Sequence, residues 1–122
     1  MYCAKAGKRE RNAGLDGMPE QQVRRQSGGE YAHNSGSTNS SKNGAVSRNH
    51  HPTVKPIALM RWLVRLVTPP DGTVLDPFLG SGTTAVAATL EGVRWIGCEM
   101  TEDYWPIIEG RVLWAEGERG LL

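Results

Sequence analysis

The sequence predicts an α/β fold, a βαβ unit with flanking helices, preceded by a polar N-terminal segment expected to be poorly ordered. Three observations predict it. The short apolar run Thr73-Val74-Leu75 leads into a glycine turn, Asp76-Pro77-Phe78-Leu79-Gly80-Ser81-Gly82. A helix-like run follows, from Thr83 or Thr84 to Glu91. A second strand-like run, Arg94-Trp95-Ile96-Gly97-Cys98, then ends at an acid, Glu99. A strand–helix–strand connection of this kind forces a parallel, right-handed pair. Two strands make a sheet too small to stand alone comfortably, so further strands are expected from the N-terminal half or from another chain.

The elements can be justified in order. Residues 1–25 are polar and basic; Lys5 to Asn12 can form a helical turn or two before Asn12-Ala13-Gly14 and Gly17-Met18-Pro19 interrupt it. Residues 26–50 are dominated by Ser, Asn, Gly and Thr. Such a stretch buries too little apolar surface to offset the entropy of ordering, and it reads as a flexible linker. The folded part is expected from His51 to about residue 118. Pro56 to Val67 reads as a helix, started by its proline and stopped by Thr68-Pro69-Pro70. Leu59, Trp62, Leu63 and Leu66 are expected to face inward, with Arg61 and Arg65 on the wet side. Asp71-Gly72 turns the chain into the first strand, and Gly92 suits the C-terminal cap of the middle helix. Thr101, Glu102 and Asp103 favour the start of a last helix, with Pro106 in its first turn. That helix is expected to reach about Glu116 and to bury Ile107, Ile108, Val112 and Leu113.

Bulk properties bound the function. At 122 residues the chain suits one small domain with a modest core. No apolar run is long enough for a transmembrane helix, and the N-terminus has no apolar signal core. Cys3 and Cys98 form no ligand-spaced pair, and His50 and His51 have no partners at metal-binding spacing. A disulfide framework and a metal site are therefore not expected, the two histidines suit a loop or hydrogen-bonding role, and a reducing cytoplasm is the expected location. Net charge is +1 but unevenly spread. Residues 1–55 hold nine Lys/Arg against four Asp/Glu, and residues 56–122 hold five against nine. The basic half suits either a polyanionic partner or a solvated tail.

The glycine turn carries the chemistry. Backbone N–H groups at such a turn, with the positive end of a helix dipole behind them, attract an anionic group. Gly80-Ser81-Gly82-Thr83-Thr84-Ala85 matches the dinucleotide pattern G-x-G-x-x-A, and Glu99 stands where an acid can take two ribose hydroxyls. Asp76 separates the ligands. Its charge would repel a pyrophosphate but neutralise an ammonium group. A zwitterionic nucleoside fits, and S-adenosylmethionine is such a molecule. No second mononucleotide half supports a nicotinamide cofactor, and no Gly-Lys-Ser/Thr supports a P-loop. The bland alternative is a βαβ turn whose glycines serve geometry alone. Trp62 and Trp95 are read as core residues, and Tyr104 and Trp105 as packing of the last helix.

His51-Pro52-Thr53-Val54-Lys55-Pro56, the Asp76 to Thr84 turn, then Gly97-Cys98-Glu99 and Tyr104 closely resemble the amino-group DNA methyltransferases. These enzymes move a methyl from S-adenosylmethionine to N6 of adenine or N4 of cytosine. The resemblance spans about residues 50–116, in the order of the family's motifs X, I and II, which is the β-class arrangement. It implies a partial Rossmann-like methyltransferase fold. It also implies that Asp76 holds the methionine ammonium group. Phe78, Gly80 and Gly82 then shape the turn, Ser81 and Thr83 donate hydrogen bonds, Thr53 and Lys55 approach the carboxylate, and Glu99 takes the ribose. Residues 1–25 look like the end of a target-recognition region in phage-type members. Lys5, Lys8, Arg9 and Arg11, with Arg24 and Arg25, are the residues expected to meet double-stranded DNA.

One departure matters. The family's catalytic loop is Asp/Asn/Ser-Pro-Pro-aromatic, which holds the flipped base. Here only Thr68-Pro69-Pro70-Asp71 occurs, without the aromatic residue and at the wrong place. The chain therefore reads as the cofactor-binding, C-terminal part of such an enzyme, inactive by itself: a fragment of a longer gene, a decayed remnant, or one part of a split enzyme whose second chain supplies the loop. The alternative is a non-catalytic DNA-binding or interaction module derived from the same stock.

Overall fold

A computed structural model describes residues 4–23 and 46–121. The expected linker at 26–50 lies outside the described residues up to position 45, as do Cys3, Arg24 and Arg25. Nine short elements follow in order: α1 (Lys8–Arg11), β1 (Gln21–Gln22), β2 (Val46–Ser47), α2 (Ile57–Val67), β3 (Thr73–Asp76), α3 (Thr83–Glu91), β4 (Arg94–Gly97), a 3-10 turn (Glu102–Tyr104) and α4 (Trp105–Gly120).

β3 and β4 pair in parallel, with Thr73 opposite Arg94 and Asp76 opposite Gly97. The ladder runs on past the strands, because Cys98 N donates to Asp76 O and Leu79 N donates to Cys98 O. α3 is the centre of the molecule. Ala85, Val86, Ala87 and Ala88 are all fully buried, since both α2 and α4 pack against it and the sheet lies beneath it. A helix apolar on every side must be covered on every side. Small alanines let its neighbours approach closely.

The helices face differently from the expectation. In α2 the buried residues are Ile57 and Val64. Leu59 and Leu63 are half-buried, while Trp62 is 46% and Leu66 65% exposed. The helix is amphipathic, with Arg61 and Arg65 on its polar side, yet the residues it buries are set by its packing against α3 rather than by that pattern. Arg61 and Arg65 are not simply solvated either. Both reach Glu91 at the end of α3, Arg65 at 3.0 Å. α4 extends beyond Glu116 to Gly120 and buries Ile107, Arg111 and Ala115, one residue every turn. Leu113 is left 60% exposed. A buried arginine displaces the expected stripe, and its hydrogen bonds explain why.

Order also extends further toward the N-terminus than expected. Residues 4–23 do not form a poorly ordered segment. Leu15 is fully buried, and the Gly14 backbone lies so close to α4 that a Cβ there would come within 2.4 Å of Gly110 O. Asn12 Oδ1 accepts from Ser47 Oγ at 2.8 Å and Asn49 N at 3.1 Å, while the buried Asn49 donates to Arg11 O. Glu10 accepts from Ile57 N and so caps α2. Buried polar groups demand partners, and here they knot residues 10–15 to residues 47–57.

Candidate functional site

The chain crosses from β3 to α3 through a turn that only glycine suits at two positions. Gly80 (φ +57°) and Gly82 (φ +78°) both lie in the left-handed region. Gly80 also lies under the His51 ring, where a Cβ would stand 2.8 Å from Nε2. Gly82 starts α3 and accepts from Val86 N. The turn thus presents the N-terminus of α3 toward the ends of the two parallel strands.

The acids at those ends are held in place before any ligand arrives. Asp76 Oδ1 accepts from Phe78 N at 3.0 Å, and Oδ2 accepts from Thr84 Oγ1 at 2.5 Å. Glu99 Oε2 accepts from Gly80 N at 2.7 Å, and Oε1 accepts from Thr101 N at 2.8 Å. Burial disfavours the Glu99 charge, but hydrogen bonds from Thr101 and Gly80, with His51 nearby, hold its carboxyl below the usual range. Each carboxylate keeps further lone pairs for a ligand.

One cavity of about 370 Å³ joins these groups. Thr53, Lys55, Asp76, Phe78, Gly80, Ser81, Thr83 and Glu99 line it. Gly82 does not; it is buried against Ile108. Phe78 is 87% exposed, so its ring stands open at the rim. The volume lies within the range of small-molecule sites, about 300–1,000 Å³.

Sequence reasoning missed His51, Met60 and Thr84 as wall residues. His51 Nδ1 accepts from Thr53 N at 3.2 Å, and the ring meets Tyr104 edge-on at 4.6 Å. Tyr104 and Trp105 therefore do not simply pack the last helix: Trp105 is half-exposed and donates to Glu99 O at 3.0 Å. Trp95 is half-buried and donates to Thr89, whereas Trp62 lies on the open side of α2. The spacing Gly-x-Gly-Thr-Thr was the available signal for Thr84. His51 opens the stretch that carries the family resemblance, but its place over Gly80 is tied to the α1 segment through Arg11.

None of the described basic residues of the N-terminal segment lines this cavity. Lys8 and Arg9 are exposed, with Lys8 3.6 Å from Glu20. Arg11 turns inward and donates to His51 O at 2.9 Å. Lys5 and Arg11 border a smaller cavity of about 300 Å³ that shares Thr53 and Lys55 with the first. Among the described residues no group of three His, Cys, Asp or Glu could hold a metal ion. No described helix is long and apolar enough to cross a membrane.

A strand-end acid, a glycine turn and a second strand-end acid thus stand around one cavity of a small α/β unit. The sequence model of the DNA methylase family matches residues 5–110, and the chain belongs to that family as part of an N6-adenine or N4-cytosine DNA methyltransferase. It is 41% identical over 75 residues to the type II methyltransferase M.ScaI of Streptomyces caespitosus, covering 62% of this chain and 25% of that protein. It is 42% identical over 62 residues to the type II methyltransferase M1.MboII of Moraxella bovis, covering 51% and 24%. It is 42% identical over 55 residues to the DNA adenine methyltransferase YhdJ of Escherichia coli K12, covering 45% and 19%. The matched part is thus about a quarter of those relatives' length or less.

Proposed function

We propose that residues 46–121 are the S-adenosylmethionine-binding part of an amino-group DNA methyltransferase, built on a partial Rossmann-like fold. The observation that carries this is the single cavity joining Asp76, Glu99 and the glycine turn. The donor set fits the cofactor at both ends. Asp76, oriented by Phe78 N and Thr84, neutralises the methionine ammonium group. The α3 N-terminus, Thr53 and Lys55 attract the carboxylate, with the dipole contributing about 0.3–2 kcal/mol. Glu99 takes the ribose hydroxyls through charge-assisted bonds worth about 1.5–3 kcal/mol each. S-adenosylmethionine brings the activated methyl group; these residues bind it and fix its direction.

The substrate of the whole enzyme is then double-stranded DNA, and the exposed Lys5, Lys8 and Arg9 suit phosphate contacts. The Pro-Pro-aromatic loop that grips the target base comes from outside these residues, from a second chain or segment. Calorimetric titration of the chain with S-adenosylmethionine tests the reading, beside Asp76→Ala and Glu99→Ala. Binding that each substitution weakens about tenfold or more supports it. A folded chain that binds no S-adenosylmethionine overturns it. The non-catalytic DNA-binding alternative would then lead, shown by DNA affinity that falls steeply with salt and ignores the cofactor.

A further inference from the structure

Arg111, in the middle of α4, is fully buried. Its Nη1 donates to Ser81 O at 2.6 Å, to Ser81 Oγ at 3.1 Å and to Thr83 Oγ1 at 3.0 Å. Its Nε and Nη2 are buried and have no hydrogen-bond partner among the described residues. Ser81 and Thr83 flank Gly82 and line the cavity from the turn side. The guanidinium thus sits behind the turn and touches it at three atoms.

A buried charge with two idle donors is a costly way to fill a helix face. Burying the charge is unfavourable by itself, and an aliphatic side chain between Ile107 and Ala115 would avoid that cost. Burial pushes the group down to about 10, opposed by the charge of Glu10, so it stays protonated at neutral pH. What an aliphatic residue cannot do is hold the turn. With glycines at both 80 and 82, each at positive φ, no side chain at either position restrains the backbone there. Arg111 fixes the Ser81 carbonyl. It also makes both hydroxyls acceptors on their buried side; the two oxygens lie 3.5 Å apart, so one hydroxyl can donate to the other while at least one proton is left to be donated toward the cavity. A cation behind a hydroxyl strengthens it as a donor.

We infer that Arg111 is a positioning residue. It sets the Gly80–Thr83 turn and turns the Ser81 and Thr83 hydroxyls into donors toward the amino-acid end of the ligand. The inference rests on the cofactor reading above for the identity of that ligand. The geometry of the turn itself does not depend on it.

The test compares two ligands and one ligand-free observable in the full chain. S-adenosylmethionine carries the amino-acid group; 5′-methylthioadenosine lacks it. In Arg111→Met, affinity for S-adenosylmethionine should fall about tenfold or more, several-fold more than that for methylthioadenosine, whose proposed ribose partner Glu99 is also held by Gly80 N. Arg111→Lys keeps the charge and should recover part of the loss. The pair Ser81→Ala and Thr83→Val should reproduce the loss, and adding Arg111→Met to it should cost little more. Amide hydrogen exchange without ligand should quicken about tenfold at residues 80–84 in Arg111→Met, with α2 unchanged. Equal losses for both ligands, or no loss for S-adenosylmethionine, would overturn the inference. If Arg111→Met fails to fold, Arg111→Lys and the hydroxyl pair decide in its place. A parent chain that binds neither ligand would overturn the cofactor reading. The exchange rates would then decide on the turn: unchanged exchange at residues 80–84 would sink this proposal too.

Discussion

His51 shows how one side chain can answer to several parts of the chain. Its ring covers Gly80, leans on Tyr104 and accepts from Thr53 N. Burial lowers its imidazole below 6.5 against the pull of Glu99, with Arg11, His50 and Lys55 adding to the lowering. A folded state that prefers the neutral ring binds fewer protons than the unfolded one. Its contribution is therefore complete above pH 6.5 and is lost as pH falls from there through the lower folded value. Glu99 acts in the same direction further down. Its carboxyl is held below 4.5, so its contribution is present above 4.5 and disappears as pH drops through the folded value. Urea denaturation should show stability falling between pH 7 and pH 5, and His51→Asn should flatten that fall. The same slope in the variant would mean the proton is taken up elsewhere. Gly82→Ala should destabilise by about 1–3 kcal/mol, because alanine resists a positive φ. Its Cβ would also meet Ile108 at 3.3 Å. Chemical denaturation measures it directly.

At the scale of elements, the short α1 segment matters more than its length suggests. Glu10 caps α2, Asn12 binds Ser47 and Asn49, and Leu15 fills a gap beside α4. Leu15→Ala should cost about 2–5 kcal/mol, as for any large core side chain cut to alanine. A loss below about 0.5 kcal/mol, the level of ordinary surface changes, would show that the segment only rests on the fold. α2 and α3 are joined by the fork of Arg61 and Arg65 on Glu91, whose side chain is only 12% exposed. Glu91→Ala leaves those two arginines unpaired but still in water. It should cost about 1 kcal/mol or less, an effect that high salt erodes in the parent chain.

At the scale of the molecule, the helices α2, α3 and α4 gather on one side of the two strands. Leu75 and Ile96, partners in register, are 66% and 59% exposed on the other side. Parallel sheets are ordinarily covered on both faces, and apolar surface in water promotes association. Leu75→Lys with Ile96→Lys should lower light scattering at high concentration while the melting temperature holds within a few degrees. Scattering that does not change would place the association elsewhere. The same open side agrees with a matched part of about a quarter of the relatives' length.

The strand–turn–helix–strand order, the parallel pair and the acids at both strand ends could be read from local patterns. Strand length, glycine placement and connection handedness are short-range physics, and residues 73–99 contain all of it. The helix faces could not be read that way. α2 buries Ile57 and Val64 rather than the Trp62 and Leu66 that its pattern points inward, and α4 buries Arg111 where periodicity asks for an aliphatic residue. Which side of each is covered depends on where α3 lies, and on three hydrogen bonds to a turn 28 and 30 residues away. The place of His51 and the docking of Gly14 and Leu15 on α4 were decided in the same way. Polar side chains such as Asn12 and Asn49 have no local preference that reveals a partner 37 residues distant. The residue types of the proposed nucleoside site are written along the chain; what holds them still is set only when distant segments bury each other's polar groups.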